Sequence, residues 1–128
     1  MPMETRIMGP RDLAFLLSEA NGQRSRNSAV IAAGAGLLDA GTVLGKVTDS
    51  GEYAASGAAE AAGFEGAETA KAILAYGVDA SVNAAQAVVI DRDAEVKAPM
   101  LIFDPSVDDN AKRAVKITQL AAVGLRVR

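Results

Sequence analysis

The chain has 128 residues, half of them hydrophobic, with a formal net charge of −3 and no His, Cys or Trp. Without His or Cys it offers no imidazole base, no thiolate nucleophile, no zinc site of the usual ligand types and no disulfide framework. Its Lys and Arg residues are scattered singly, so we expect no nucleic-acid binding, and no apolar run is long enough to span a membrane.

The hydrophobic fraction is dominated by small side chains. Alanine supplies 27 of the 64 hydrophobic residues, and only five residues are Phe or Tyr. A large apolar side chain contributes roughly 1.5–3 kcal/mol when it is buried, and alanine contributes much less. A chain of this length with so thin a core is expected to gain stability from a partner surface, which favours an oligomer.

The first 27 residues differ in charge from the rest, with four Arg against three acidic residues, whereas the remainder is acidic. Within "RDLAFLLSEANG" four large apolar residues precede a polar exit through Asn21 and Gly22; they are Leu13, Phe15, Leu16 and Leu17. This pattern fits an amphipathic element packed on its own domain, or a flexible segment that becomes ordered against a partner. On the second interpretation, removal of Met1 to Gly22 leaves the body folded.

The stretch "AGAGLLDAGTVLGKVT", residues 33–48, resembles the end of a phosphate-binding loop. Its spacing does not fit, because Gly41 and Gly45 enclose three residues instead of four and Val47 replaces the required hydroxyl. We therefore predict two strands, at 28–33 and 42–48, joined by a glycine-rich turn segment.

The central part of the chain predicts a loop followed by strands. Glycines interrupt the alanine-rich residues 51–66, and each interior glycine costs about 0.8–1 kcal/mol in a helix, so an irregular surface loop is expected. Residues 68–80 and 84–96 then predict strands around a turn at 81–83, and residues 100–103 predict another strand after Pro99. The body is therefore expected to be mainly β.

One helix is expected near the C-terminus. Ser106 followed by Asp109 resembles a capping box, and Gly124 provides a stop signal. The predicted apolar face of this helix consists of Ala111, Ala114, Val115, Thr118 and Ala121 or Ala122. A last short strand is predicted at Leu125 to Val127.

A group of carboxylates needs a separate interpretation. Asp91, Asp93 and Glu95 alternate in sequence, so on a strand they would share one face and could bind a hard cation, or support an ion-dependent enzyme. A solvated strand face is favoured, because a calcium loop needs glycine turns and more oxygen ligands. We predict no catalytic, cofactor-binding or metal-binding residues.

Several segments in the same order carry a family resemblance. They are "FLLSEANGQRSRNSAVIAAGAGLLDAGTVLGKVT", "GAETAKAILAYGVDA", "AVVIDRDAEVKAPMLIF" and "AVKITQLAAVGLRVR". Together they resemble the head decoration protein D family of bacteriophage lambda and its prophage relatives, over about residues 12–128. None of these segments is a catalytic signature, so the resemblance rests on order and spacing. The loop at 54–64 is more alanine-rich than is usual for the family.

The resemblance implies a structural protein of the virion and no enzyme activity. The implied fold is mainly β, a small α+β protein with a compact β-barrel-like or β-clip body, one C-terminal α-helix and a flexible N-terminal arm. The implied partners are two further copies, in a homotrimer, and the major capsid protein of an expanded phage head, which the trimer would stabilise against packaged DNA. Such a protein is made in the bacterial cytoplasm and lies on the outer capsid surface.

We accordingly divide the chain into an arm, residues 1–27, which docks on the capsid, and a single β-rich domain, residues 28–128. The docking residues expected in the arm are Leu13, Phe15, Leu16, Leu17, Glu19, Arg24 and Arg26. The alternative is a small β-barrel ligand-binding or enzyme-accessory domain. A monomeric protein that binds a small molecule saturably would favour this alternative.

Overall fold

The computed structural model describes residues 11–22 and 24–128. Within them the chain forms ten strands, a short 3-10 helix and one α-helix. In chain order these are β1 Leu16–Glu19, β2 Arg26–Ile31, β3 Gly36–Leu38, β4 Val43–Lys46, β5 Tyr53–Ala55, β6 Ala70–Leu74, β7 Val78–Ala80, β8 Ala85–Ile90, β9 Ala94–Val96, the 3-10 helix Ala98–Met100, α1 Asn110–Ala122 and β10 Leu125–Val127.

Five of the strands close into a barrel in the order β2-β5-β4-β6-β8. Strands β2 and β8 pair antiparallel from Arg26 opposite Ile90 to Ile31 opposite Ala85. Large aliphatic side chains from several barrel strands pack together inside it, among them Ile31, Leu44 and Leu74, which are fully buried. The predicted fold class, mainly β with a barrel-like body and one C-terminal helix, is confirmed.

The glycine-rich stretch forms turns and strands, as its spacing predicts. The two predicted strands correspond to β2 and β4, but they are not neighbours, because β5 pairs with both and lies between them. The segment that links them also contains the short β3, which pairs with β7. Gly45 lies where a Cβ atom would overlap the Ala67 carbonyl, so its lack of a side chain permits this close backbone approach.

Three predicted strands are wrong in extent. Residues 68–80 form two strands, β6 and β7, because the chain leaves the barrel between them and β7 joins β3 instead. Residues 84–96 likewise divide into β8 and β9. Residues 100–103 form no strand: Pro99 starts the short 3-10 helix, and Ile102 makes only an isolated bridge to Thr42.

The expected irregular loop is present at residues 56–69, between β5 and β6. The prediction was wrong at its beginning, where Tyr53–Ala55 forms β5. These three residues have a weak strand pattern, and they become a strand because β4 and β2 on either side satisfy their backbone groups.

The C-terminal helix is confirmed, and its final turn ends at Gly124, which has a φ of 89°. Its N-cap is Asp109, whose carboxylate accepts the Lys112 amide at 2.8 Å, whereas the Ser106 hydroxyl accepts the amide of Ala58. The predicted apolar face was wrong. Among the described residues of the helix, the buried side chains are Lys116 and Leu120, while Val115 is 53% exposed.

The described part of the N-terminal segment packs on the body. Strand β1 pairs antiparallel with β9, and the Phe15 side chain is only 1% exposed within the core between barrel and helix. The boundary predicted at Asn27 falls inside β2. The expectation that residues 1–22 can be removed without cost is therefore corrected, because their removal deletes a core side chain and an edge strand. Residues 1–10 lie outside the described part.

Candidate functional site

The N-terminal and C-terminal strands meet in a three-stranded sheet of order β1-β9-β10. Strand β9 lies in the middle, antiparallel to β1 and parallel to β10. Helix α1 leads directly into β10, and Leu120 and Leu125 join Phe15 in one core cluster. Within the described residues β1 has no second strand neighbour, and its unpaired side is here called the free edge.

The seven predicted docking residues divide into three groups. Phe15 lies in the core, and Leu13 and Leu16 are partly buried against the same cluster. Leu17 and Arg24 point to solvent, with Leu17 47% exposed. The remaining two, Glu19 and Arg26, bind each other. The structure thus brings together the groups that hold β1 on the body and leaves Leu17 and Arg24 free to contact a partner.

Glu19 and Arg26 form a two-point ion pair across the turn between β1 and β2. Arg26 Nη2 donates to Glu19 Oε1 at 2.7 Å and Arg26 Nε donates to Glu19 Oε2 at 3.0 Å. The third guanidinium nitrogen, Nη1, donates to the Tyr76 hydroxyl at 3.2 Å. The hydrogen bond from Arg26 holds the pKa of Glu19 below its ordinary value. This pair fastens the end of β1 to the barrel.

Sequence reasoning did not find two further anchors of the same segment. The Ser25 hydroxyl is fully buried, accepts the Ala20 amide at 3.0 Å and donates to the Asp93 carbonyl at 2.8 Å. Asp12 Oδ1 accepts the Gly77 amide at 3.4 Å. Nothing in "QRSRNS" distinguishes Ser25 from Ser28, because its role depends on a turn that lies 68 residues away in the sequence.

The alternating carboxylates do not share a strand face. Asp91 and Asp93 lie in the turn between β8 and β9, where Asp93 has a φ of 50°. Asp91 accepts a hydrogen bond from Asn27 at 3.2 Å, and Glu95 on β9 pairs with Arg128 at 3.0 Å. Within residues 11–22 and 24–128 no group of three potential metal ligands comes together. The strand geometry on which the cation hypothesis depended is therefore absent.

Three further large apolar side chains are more than half exposed on the body, outside the N-terminal segment. Leu37 on β3 is 74% exposed, and Val82 in the turn before β8 is 81% exposed. Val115 on the outer side of α1 is also more than half exposed. Large apolar side chains at this exposure are candidates for contact with another protein surface.

In the part of the chain that the structure describes, no helix is long and apolar enough to cross a membrane.

Comparison with known protein families decides the identification. The family described as Bacteriophage lambda head decoration protein D matches residues 5–125 of this chain, which includes every strand but the end of β10. The chain belongs to this family. No curated protein matches the chain significantly.

Membership makes this decoration protein a structural component of a phage head, and the predicted family is confirmed. The family is one of capsid proteins and is not an enzyme family, which agrees with a chain that lacks His and Cys. It also gives the protein a location on the capsid of a virion. The groups with functional interest are therefore the ones that contact other proteins.

Proposed function

We propose that this decoration protein binds as a homotrimer to the outer surface of an expanded phage head, with the major capsid protein as its partner, and stabilises the head against the pressure of packaged DNA. The single observation that carries the proposal is the family match over residues 5–125. Production in the bacterial host cytoplasm belongs to the same proposal.

Two features of the protomer support a trimer. Its core contains many alanines, including Ala70, Ala72 and Ala75, which are fully buried but contribute little apolar area. Its surface keeps Leu37 and Val82 largely exposed. An interface between copies would bury such side chains and supplement the thin core. A mass of three times the 13.1 kDa protomer by light scattering is expected; a mass near 13.1 kDa at micromolar concentration would contradict the trimer.

We further propose that docking uses the N-terminal segment, with β1 as its fixed base. The free edge of β1 can accept a strand of the capsid protein, which would add backbone hydrogen bonds. The exposed Leu17 and Arg24 would then contact that partner, while Phe15 and the Glu19–Arg26 pair keep β1 in place. Ordering a partner strand costs roughly 1–2 kcal/mol per residue, so three segments on one trimer would provide tight attachment through effective concentration.

A binding assay with purified expanded heads tests the docking surface. Leu17→Glu introduces a charge beside the free strand edge and is expected to weaken attachment at least tenfold. Val30→Glu is the matched control, because it introduces the same charge at another exposed aliphatic side chain, one that lies on β2 and is not assigned to the docking surface or to the proposed trimer interface. Both variants should melt close to the parent protein. Normal attachment of Leu17→Glu together with loss of attachment by Val30→Glu would indicate that docking uses the body of the protein.

A truncation that removes residues 1–10 tests the part of the arm that precedes the described residues. It retains Phe15 and β1, so the body should keep its melting temperature, whereas attachment should be lost if the arm docks. Unchanged attachment would restrict docking to residues from Arg11 onward.

For the stabilising role, DNA release from filled heads on heating should begin at a higher temperature when the protein is bound. Equal release with and without it would contradict that role.

A further inference from the structure

The side chain of Lys116 is the least expected member of the protein interior. It lies on α1 and is only 2% exposed. Its Nζ donates to the Ser56 hydroxyl at 2.9 Å, to the Gly57 carbonyl at 2.6 Å and to the Glu68 carbonyl. All three protons of the ammonium group are therefore used, and all three acceptors are uncharged.

These acceptors lie at the two ends of one segment. Gly57 and Glu68 begin and end a loop of residues 57–68, here called the clamped loop, which contains no helix or strand. One ammonium group thus joins both ends of the loop to each other and to α1. A compact segment of this length whose ends meet is an Ω-loop, a class that is often functional.

Burial of the Lys116 ammonium group is unfavourable because it removes the charge from water. Burial lowers the pKa of Lys116, and the nearby charges of Glu68 and Asp104 oppose that effect only in part. A buried charge is expensive to desolvate, and the hydrogen bonds of this ammonium group go to uncharged oxygens. The contacts of Lys116 are therefore better explained by the geometry they impose than by stability they add.

We propose that Lys116 is a positioning residue that fixes the conformation of the clamped loop on the helix, so that the exposed tip, residues 58–63, is presented in one arrangement. The other end of the loop has a separate support, since Ala67 packs against Gly45 and the Glu65 carbonyl accepts the Thr48 amide. The effect of Lys116 is accordingly greatest at residues 57–64, which precede this second support.

Amide hydrogen exchange on the full chain, read residue by residue, tests the proposal. Lys116→Met keeps an unbranched chain of similar length and removes the three donors. At least tenfold faster exchange is expected at Ala58 and Phe64, whose amides bond to Ser106 Oγ and the Ala61 carbonyl. Exchange at Leu44 in the barrel should change much less than exchange in the clamped loop. Lys112→Met is the control: it lies one turn earlier, where its ammonium binds Asp108 and not the loop.

Two outcomes would overturn the proposal: unchanged exchange at Ala58 and Phe64 in Lys116→Met, or equal acceleration in Lys112→Met. If Lys116→Met does not fold, Ser56→Ala decides, because it removes one of the three acceptors and leaves the ammonium in place. Faster exchange confined to residues 57–68 in that variant supports the positioning role. Unchanged exchange there refutes it, and the failure to fold would then identify Lys116 as a general support of the core.

Discussion

Replacement of Phe15 by alanine distinguishes a packed N-terminal segment from a loose one. Phe15 is 1% exposed and contacts the core that includes Val96, Leu120 and Leu125. Removal of a buried Phe side chain costs about 3–5 kcal/mol, from lost apolar transfer and the cavity left behind. With an unfolding entropy of about 2.1 cal/mol/K per residue, that loss lowers the melting temperature of a domain this size by roughly 10–20 °C.

Differential scanning calorimetry at one fixed protomer concentration measures this shift, since the melting of an oligomer depends on concentration. Leu17→Ala is the matched control, because Leu17 is 47% exposed two residues further along the same segment, and its loss should cost about 1 kcal/mol or less. A shift of only a few degrees for Phe15→Ala, equal to that of Leu17→Ala, would refute the packing of this segment on the body.

Three further changes test other parts of the structure. Gly45→Ala should destabilise the protein by about 1–3 kcal/mol or more in denaturant unfolding, because the new methyl group overlaps the Ala67 carbonyl. Glu19→Gln should reduce the loss of folding stability between pH 7 and pH 3. The hydrogen bond from Arg26 lowers the pKa of Glu19 in the folded protein. The stability that ionised Glu19 contributes is therefore fully present above about pH 4.3 and is lost as the pH falls through the lowered pKa. Asp109→Ala should cost about 0.5–2 kcal/mol of helix capping, measured by thermal unfolding.

Each of these has a control within the chain. Gly34→Ala adds a methyl group where no atom lies within 4 Å, so only its positive φ opposes the change, and it should cost less than Gly45→Ala. Glu60→Gln makes the same substitution at an exposed residue of the clamped loop. Asp108→Ala removes the ion pair to Lys112 but keeps the cap, so it should cost less than Asp109→Ala. Equal effects within any pair would contradict the corresponding explanation.

The parts of the fold that the sequence predicted are those with strong local signals. Strands β2 and β8 have runs of β-branched residues, and α1 has a capping residue and a terminal glycine. Strand β2 and helix α1 were therefore expected at nearly their observed positions, and β8 was expected at nearly its observed start but with too late an end. The short strands β3, β5 and β7 contain three residues each, too few for a period to be recognised. They exist because neighbouring strands in the barrel or the β3–β7 pair satisfy their backbone groups.

The N-terminal segment was recognisable from the sequence in its composition but not in its arrangement. The apolar cluster from Leu13 to Leu17 was recognisable, yet the same pattern fits a core element and a partner-binding element. The choice between them depends on contacts with residues far along the chain: Phe15 with Leu120, and Ser25 with Asp93. Such contacts leave no trace in local periodicity, so the division of the segment into buried and exposed members required the fold.

The helix shows why an apolar pattern can indicate the wrong face. The alanines and Val115 of α1 recur at helical spacing, but the side chain of Lys116 and that of Leu120, four residues later, point inward. A lysine is assigned to solvent by any hydropathy rule, and it is buried here because three uncharged oxygens from two separated segments surround its ammonium group. The outward face carries small side chains, the charged Lys112 and Arg113, and the half-exposed Val115. In a decoration protein of a phage head, an exposed helix face that carries alanines and Val115 is consistent with a contact surface, and hydropathy alone cannot separate such a face from a core.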